Sequence, residues 1–127
     1  MRPTDRSYLE SHEWAQLDGD IVTVGITDFA VEQLGELVYL DLPAVGTDVS
    51  TGQGFGEVES VKAVSDMNSP VDGEVIAVNS DLTDNLDTLQ NHPLNAGWLI
   101  KVKVASADAL HGLLDAAAYE QIVASQS

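Results

Sequence analysis

The sequence predicts a mostly β protein, folded as a sandwich or a flattened barrel. Turn-forming residues cluster at short intervals along the 127-residue chain, and short β-prone runs lie between the clusters. Several runs are apolar at every second position, as in Trp98, Ile100, Val102 and Val104, which is the period of a half-buried strand. Since 44% of the residues are hydrophobic, a chain of this length builds one core more readily than two. We therefore expect residues 1–127 to form a single domain.

Five runs are predicted to be strands. In chain order they are Ile21 to Ile26, Leu37 to Leu42, Phe55 to Val64, Val71 to Val78 and Trp98 to Val104. The tripeptide Gly-Glu-Val occurs at residues 56–58 and again at residues 73–75. Three matching residues are explained equally well by chance and by a quasi-twofold pair of strands.

Two segments are predicted to be helical. The first is Asp28 to Leu34, with Asp28 as the candidate N-cap and Gly35 as the stop. The second is the Ala- and Leu-rich tail from Ser106 onward, which we expect Gly112 to split.

The charge of the chain excludes several classes of partner. Twenty-one acidic residues against five basic ones give a formal charge of −16, which repels nucleic acid and anionic membranes. This charge serves either solubility or docking onto basic protein surfaces. The apolar stretches are far shorter than the roughly 20 residues of a membrane span. The first residues lack the apolar run of a secretory signal and the long Arg- and Ser-rich stretch of a transit peptide, so we expect a cytoplasmic protein.

Residues typical of an enzyme are missing. The chain has no cysteine, which excludes disulfides, thiolate metal sites and a cysteine nucleophile. The three histidines, His12, His92 and His111, do not have the i, i+4 spacing of a zinc hydrolase, and no serine lies in a nucleophile elbow. We predict no catalytic residue and no metal ligand.

Lysine is scarce, so each lysine is informative. Lys101 and Lys103 alternate with apolar residues and are predicted to lie on the solvated face of a strand. Lys62 lies between Val61 and Ala63, with acidic residues a few positions away on each side. It is either an ordinary strand lysine paired with a carboxylate or an exposed point of attachment. Spacing alone favours the ordinary lysine, because no hairpin turn dipeptide marks this position.

A long motif around Lys62 resembles the lipoylation region of the glycine cleavage system H proteins. It comprises Glu59 to Asp66 followed by Ser69 to Val75. Further matches occur in the family's order along nearly the whole chain, at Ser11 to Trp14, Val24 to Ala30, Leu34 to Glu36, Asp41 to Pro43 and Gly97 to Leu99.

The resemblance implies a lipoyl/biotinyl-type β-sandwich with short helices, including a C-terminal helical segment. It places Lys62 at a hairpin tip and implies that its ε-amine forms an amide with lipoic acid, attached by a lipoate-attaching enzyme. The protein is then a non-catalytic carrier. In the family, glycine decarboxylase (P-protein) passes an aminomethyl group to the arm, aminomethyltransferase (T-protein) unloads it, and dihydrolipoyl dehydrogenase (L-protein) reoxidises the dithiol.

The resemblance also implies a cleft for the loaded arm. Ser11, Glu13 and Asp66 match the positions that line it. The loaded group carries a protonated amine, which carboxylates hold by charge-assisted hydrogen bonds. Ser11 and Asp66 as turn or cap residues, and Glu13 as a surface charge, are the alternatives.

Other carrier roles remain open from the sequence. A lipoyl domain of a 2-oxo acid dehydrogenase shares the hairpin lysine, and a lipoyl-relay protein needs the same residue. A biotin carrier normally has methionine on both sides of its lysine, unlike Val61 and Ala63. The chain departs from the family's Asn-x-x-Pro-Tyr pattern, since it reads Asn91-His92-Pro93-Leu94. We expect a monomer.

Overall fold

The computed structural model describes residues 2–105, 110 and 112–126. Within them the strands are β1 (Ser7–Tyr8), β2 (Glu13–Asp18), β3 (Ile21–Ile26), β4 (Leu37–Asp41), β5 (Asp48–Val49), β6 (Gly54–Ser60), β7 (Val64–Asn68), β8 (Gly73–Val78) and β9 (Ile100–Lys103). The α-helices are α1 (Asp28–Leu34), α2 (Leu86–Asn91) and α3 (Ala116–Gln126), and a 3-10 helix spans Ser80–Thr83.

The strands form two antiparallel sheets that share one core. The larger sheet has the order β1-β2-β3-β9-β8-β5 and the smaller has the order β4-β6-β7. Buried residues of both sheets, such as Val24 and Ile100 in the larger and Val58 and Met67 in the smaller, belong to the same hydrophobic cluster. The prediction of a mostly β sandwich is confirmed, and the two sheets do not close into a barrel.

One predicted strand was wrong. The run from Phe55 to Val64 is not continuous, because β6 ends at Ser60 and β7 begins at Val64. The chain reverses between them, and Glu59 pairs with Val64. The other four predicted strands correspond to β3, β4, β8 and β9, with β3 at the predicted bounds.

Helix α1 has the predicted bounds but a different cap. Thr27, in an extended conformation with φ −78° and ψ 164°, accepts a hydrogen bond from Ala30 N through its side chain. Asp28 is therefore the first helical residue and not the N-cap. Gly35 is the predicted stop, with φ 85° and ψ −141°, a conformation that only glycine adopts readily.

The sequence missed α2 and the 3-10 helix. Neither of the two missed helices has a hydrogen bond from an N-cap side chain, so the usual start signal is absent. Helix α3 begins at Ala116, after Gly112 with φ 90°, and the Asp115 carboxylate accepts from Ala118 N at 2.8 Å. Residues 106–109 and 111 lie outside the described residues.

Helix α3 packs on one end of the larger sheet through a second apolar cluster. Tyr8, Trp14, Ala116 and Tyr119 are its buried members. The rings of Tyr8 and Tyr119 stack with centroids 4.7 Å apart. The C-terminal helix is thereby attached beside the start of β2.

The Gly-Glu-Val echo has the same local setting in both sheets. Glu57 of β6 pairs with Asp41, the last residue of β4, and Glu74 of β8 pairs with Lys103, the last residue of β9. A Cβ atom on Gly56 or Gly73 would lie 2.3 or 2.2 Å from the carbonyl oxygen of that same neighbour. Glycine is needed at both positions because the neighbouring backbone comes so close. The two tripeptides therefore share a local packing requirement, and the quasi-twofold relation between their strands stays a prediction.

Candidate functional site

Lys62 lies at the tip of the β6–β7 hairpin. The reversal is closed by Ser60 N, which donates to Ala63 O at 2.8 Å. The Ser60 hydroxyl oxygen also accepts from Lys62 N at 3.3 Å and from Ala63 N at 3.1 Å. A serine side chain thus stabilises this turn, in place of the glycine or asparagine of a tight hairpin.

The lysine turn is held from outside the hairpin. Val61 N donates to Glu36 O at 3.0 Å, which joins the turn to the loop between α1 and β4. A Cβ atom on Gly35 would lie 3.8 Å from Lys62 Cε, so the lysine stem passes over this glycine. Hydrogen bonds from two directions therefore hold the backbone of the tip.

The surroundings of Lys62 are open and apolar. Lys62 is exposed, and Val61 and Val64 are 66% and 61% exposed. Within the described part of the chain, no ion pair or hydrogen bond holds the ammonium group. The interpretation of Lys62 as an ordinary strand lysine with a carboxylate partner was wrong.

The other two lysines have the settings predicted for them. Both lie on β9, where they alternate with the fully buried Ile100 and Val102. Lys101 Nζ lies 5.0 Å from the centre of a Trp98 ring, and Lys103 is exposed. Neither is at a turn, so Lys62 differs from both in its backbone setting.

Glu13 and Ser11 are brought together at the opposite end of β7. The Glu13 side chain is 1% exposed. One carboxylate oxygen accepts from the Ser11 hydroxyl, and the other accepts from Asn68 N at 2.7 Å. Glu13 is in the larger sheet and Asn68 in the smaller, so this carboxylate joins the two sheets. The interpretation of Glu13 as a surface charge was wrong.

The protonation of Glu13 is governed by its burial. Desolvation raises its pKa above the usual 4.5, and the hydrogen bonds from Asn68 N and Ser11 act in the opposite direction. Burial penalises the charged form and donors favour it. This group holds a proton, or attracts a cation, more readily than an exposed glutamate does.

A surface cleft opens beside this pair. It has a volume of about 500 Å³, and its lining includes Ser11, Thr51, Asn68 and Gln126. Gln126 is the last described residue of α3, and its side-chain oxygen accepts a hydrogen bond from His12 Nε2 at 2.9 Å. The C-terminal helix therefore forms part of the wall of this cleft.

Asp66 is exposed on β7, two residues before Asn68 and so on the same face of the strand. It lines a different depression, together with Asp41 and Glu57, both of which lie in its cross-strand row. The structure groups Ser11 with Glu13 and places Asp66 between them and the Lys62 tip along β7.

Sequence reasoning missed several residues that build this site. Ser60 gave no glycine-type turn signal, and Asn68 acts through its backbone, which no side-chain pattern can reveal. His12 has φ 82°, a left-handed conformation that is uncommon for a residue other than glycine. The residue type alone does not reveal this conformation. Among the described residues there is no group of three metal-ligating side chains. No described helix is long and apolar enough to cross a membrane.

The fold and the site define a two-sheet β-sandwich that presents one unpaired lysine at a hairpin tip. A family model for the glycine cleavage H-protein matches residues 6–126. The chain is 51% identical, over 96% of both chains, to a probable glycine cleavage system H protein of Natronomonas pharaonis. It is 53% identical to the glycine cleavage system H protein of Rhodopirellula baltica, covering 94% of this chain and 92% of that one.

The comparison with solved structures agrees. The crystal structure of a glycine cleavage system H protein from Mycobacterium marinum is similar with a TM-score of 0.86 and 44% identity. The match covers 94% of this chain and 96% of that one. The chain belongs to the glycine cleavage H-protein family.

Proposed function

We propose that this protein is the lipoyl carrier of a glycine cleavage system, with lipoic acid bound as an amide to Lys62. The observation that carries the proposal is the position of Lys62 in a chain of this family: it is exposed on a hydrogen-bonded hairpin tip and has no partner among the described residues. An unpaired amine on a hydrogen-bonded turn fits acylation. An enzyme can reach it without breaking an ion pair and without rearranging the backbone. The bound group would supply a disulfide that opens as it takes up the aminomethyl group, and release of that group would leave a dithiol for dihydrolipoyl dehydrogenase to reoxidise.

The chain's own residues present and shelter the arm. The Ser60 turn places Lys62 at the end of the hairpin, and the exposed Val61 and Val64 give the attachment site an apolar surround. We propose that the partners are glycine decarboxylase, aminomethyltransferase, dihydrolipoyl dehydrogenase and a lipoate-attaching enzyme. A carrier with no catalytic group of its own would meet each of them through this tip.

We propose that Glu13 and Ser11 hold the protonated amine of the cargo, with Asp66 on the path between the tip and the cleft. Support comes from the burial of Glu13, since a buried carboxylate gains most from a cation placed beside it. Lys62 and Asn68 are six residues apart, at most about 20 Å at roughly 3.3 Å per residue. An arm on Lys62 reaches the cleft only by folding back along β7.

The remaining parts of the proposal concern the whole chain. We propose that residues 1–127 act as a single domain, because both sheets contribute to one core. We also propose that the protein is a cytoplasmic monomer. The charge of −16 favours partners with basic docking surfaces.

The test is the intact mass of the purified protein after treatment with a lipoate-attaching enzyme, lipoate and ATP. The wild type should gain one lipoyl amide, and Lys62→Arg should gain none. Lys101→Arg and Lys103→Arg are matched controls, because they remove the only other lysines, and both should load as the wild type does. An unmodified wild type beside a loaded reference carrier, or loading of Lys62→Arg, would refute the attachment site.

Loaded protein then distinguishes glycine cleavage from another carrier role. With glycine decarboxylase, loaded wild type should support glycine-dependent exchange of labelled bicarbonate. Lipoylated Glu13→Gln should still accept the aminomethyl group from glycine decarboxylase. On standing in buffer, it should lose that group by hydrolysis faster than the lipoylated wild type does. Loaded wild type that fails in this exchange would point to a different partner system.

A further inference from the structure

The side chain of Gln90, on α2, spans the loop that precedes β4. Its carbonyl oxygen Oε1 accepts from Leu37 N at 2.9 Å. Its Nε2 donates to Gly35 O at 3.0 Å. One half-buried carboxamide thus binds the backbone at both ends of the segment 35–37, as the acceptor in one hydrogen bond and the donor in the other.

The enclosed residue, Glu36, is the outside support of the lysine turn. Its carbonyl oxygen accepts from Val61 N at 3.0 Å, next to Lys62 in the chain. Leu37 continues the contact, because it pairs with Ser60 across the β4–β6 ladder. A continuous series of hydrogen bonds therefore runs from Gln90 through residues 35–37 to the tip.

Segment 35–37 needs this support. Gly35 has φ 85° and ψ −141°, a conformation that an unrestrained chain leaves easily. Replacing the carboxamide by an apolar group leaves Leu37 N and Gly35 O without these partners, and replacing it by a carboxylate sets two acceptor oxygens against each other. Only a group that donates and accepts at once satisfies both positions.

We propose that Gln90 is a positioning residue for Lys62, and this rests on Lys62 being the acylated residue. When Gln90 is lost, residues 35–37 open part of the time and release Val61 N, so the Ser60–Ala63 turn is only fractionally in its folded form. An acylating enzyme that binds the folded tip then meets a smaller competent fraction, and KM rises by the inverse of that fraction. The step after binding is unchanged, so kcat stays the same.

The test compares Gln90→Leu with Gln16→Leu, a matched control whose amide bonds the exposed Asp5. Lipoylation is followed at 25 °C with carrier concentration varied, and amide hydrogen exchange is measured at Val61 in the unmodified proteins. We expect Gln90→Leu to raise KM about three- to tenfold with kcat within about twofold. Exchange at Val61 should speed up by a larger factor than KM, because the Val61 amide is mostly closed in wild type and would be mostly open in the variant. Gln16→Leu should match the wild type.

Gln90→Glu adds a readout that a merely structural role would not move. Its carboxylate repels Gly35 O at neutral pH, whereas the protonated acid donates to Gly35 O and accepts from Leu37 N as glutamine does. Protection of Val61 relative to wild type at the same pH should be reduced near pH 7 and restored near pH 4.

Two results would overturn the inference: wild-type KM with wild-type protection of Val61 in Gln90→Leu, or a fall in kcat with KM unchanged. If the wild type itself is not acylated, the attachment proposal fails on its own. The exchange measurement then decides alone whether Gln90 holds the tip.

Discussion

Glu13 is in an environment that opposes its charge. The side chain is buried and joins the two sheets through Ser11 and Asn68 N. A buried carboxylate with two donors is stabilised by them but still loses most of its hydration. Since the pKa is raised, desolvation outweighs the donors, and the ionised side chain lowers the stability of the folded protein. Such a cost is retained where a charge is used, as in the cleft role proposed above.

This raised pKa gives a prediction for Glu13→Gln. Above pH 4.5 the folded protein keeps the proton on Glu13, whereas the unfolded chain loses it. The contribution of Glu13 to the free energy of unfolding is therefore fully present below pH 4.5. It is lost as pH rises through the folded pKa. Glutamine has no such loss, because its oxygen can accept from Asn68 N while its amide donates to Ser11. In urea denaturation, the free energy of unfolding of Glu13→Gln should increase relative to that of wild type as pH rises from about 4 to about 8. The gain is about 1.4 kcal/mol for each unit by which the pKa lies above 4.5.

The control is Glu10→Gln, at an exposed position three residues earlier. Its difference from wild type should not change with pH in the same way. A Glu13→Gln variant that falls behind wild type as pH rises would mean that the donors outweigh desolvation.

At the scale of elements, the sequence predicted what depends on local pattern. Helix α1 has its predicted bounds, because Gly35 supplies a stop that can be read from residue type. The β6–β7 hairpin was missed from the residues alone, because its turn depends on the Ser60 hydroxyl and on Glu36 from another loop. Only the family resemblance placed Lys62 at a tip.

The site divides in the same way. Lys62 was predicted from the motif around it and Glu13 from the family match at Ser11 to Trp14. The grouping of Ser11 with Glu13 apart from Asp66 depends on register between strands that are distant in sequence. Helix α2 was missed because six residues without a side-chain cap give no start signal. Gln90 could not be recognised before its two backbone partners were placed.

The attachment of α3 gives an element-scale prediction. The Tyr119 hydroxyl lies 2.7 Å from both Thr27 Oγ1 and His12 Nδ1, and burial raises the pKa of Tyr119 to about 12. Tyr119→Phe keeps the ring stack on Tyr8 but removes this partner from the buried Thr27 Oγ1 and the half-buried His12 Nδ1. We expect it to lower the free energy of unfolding by about 1–3 kcal/mol, measured by urea denaturation.

Tyr39→Phe is the matched control, because Tyr39 is 51% exposed. It should change stability by less than about 0.5 kcal/mol. Equal effects in the two variants would show that the Tyr119 hydroxyl contributes no more to stability than the exposed hydroxyl of Tyr39 does.

At the scale of the whole molecule, the excess of negative charge opposes compaction, and one row of the smaller sheet places three acidic residues side by side. Asp41, Glu57 and Asp66 are exposed and lie directly opposite one another on β4, β6 and β7. Like charges in that position destabilise a sheet. The corresponding residue of the larger sheet, Glu74, lies between Lys103 and Asp48. The attraction to Lys103 therefore offsets the repulsion from Asp48.

This contrast predicts how salt acts on the protein. Raising NaCl from about 0.1 M to about 1 M shortens the screening length from roughly 10 Å to roughly 3 Å, so the wild type should gain about 1 kcal/mol or more in urea unfolding. Glu57→Gln removes both repulsive pairs and should be about 0.5–2 kcal/mol more stable than wild type at 0.1 M, with the difference shrinking toward zero at 1 M. Glu74→Gln loses one repulsion and one attraction, so it should match wild type at both salt concentrations. A stabilisation by Glu57→Gln that persists at 1 M would show that packing or strand propensity, and not repulsion, sets the stability of the small sheet.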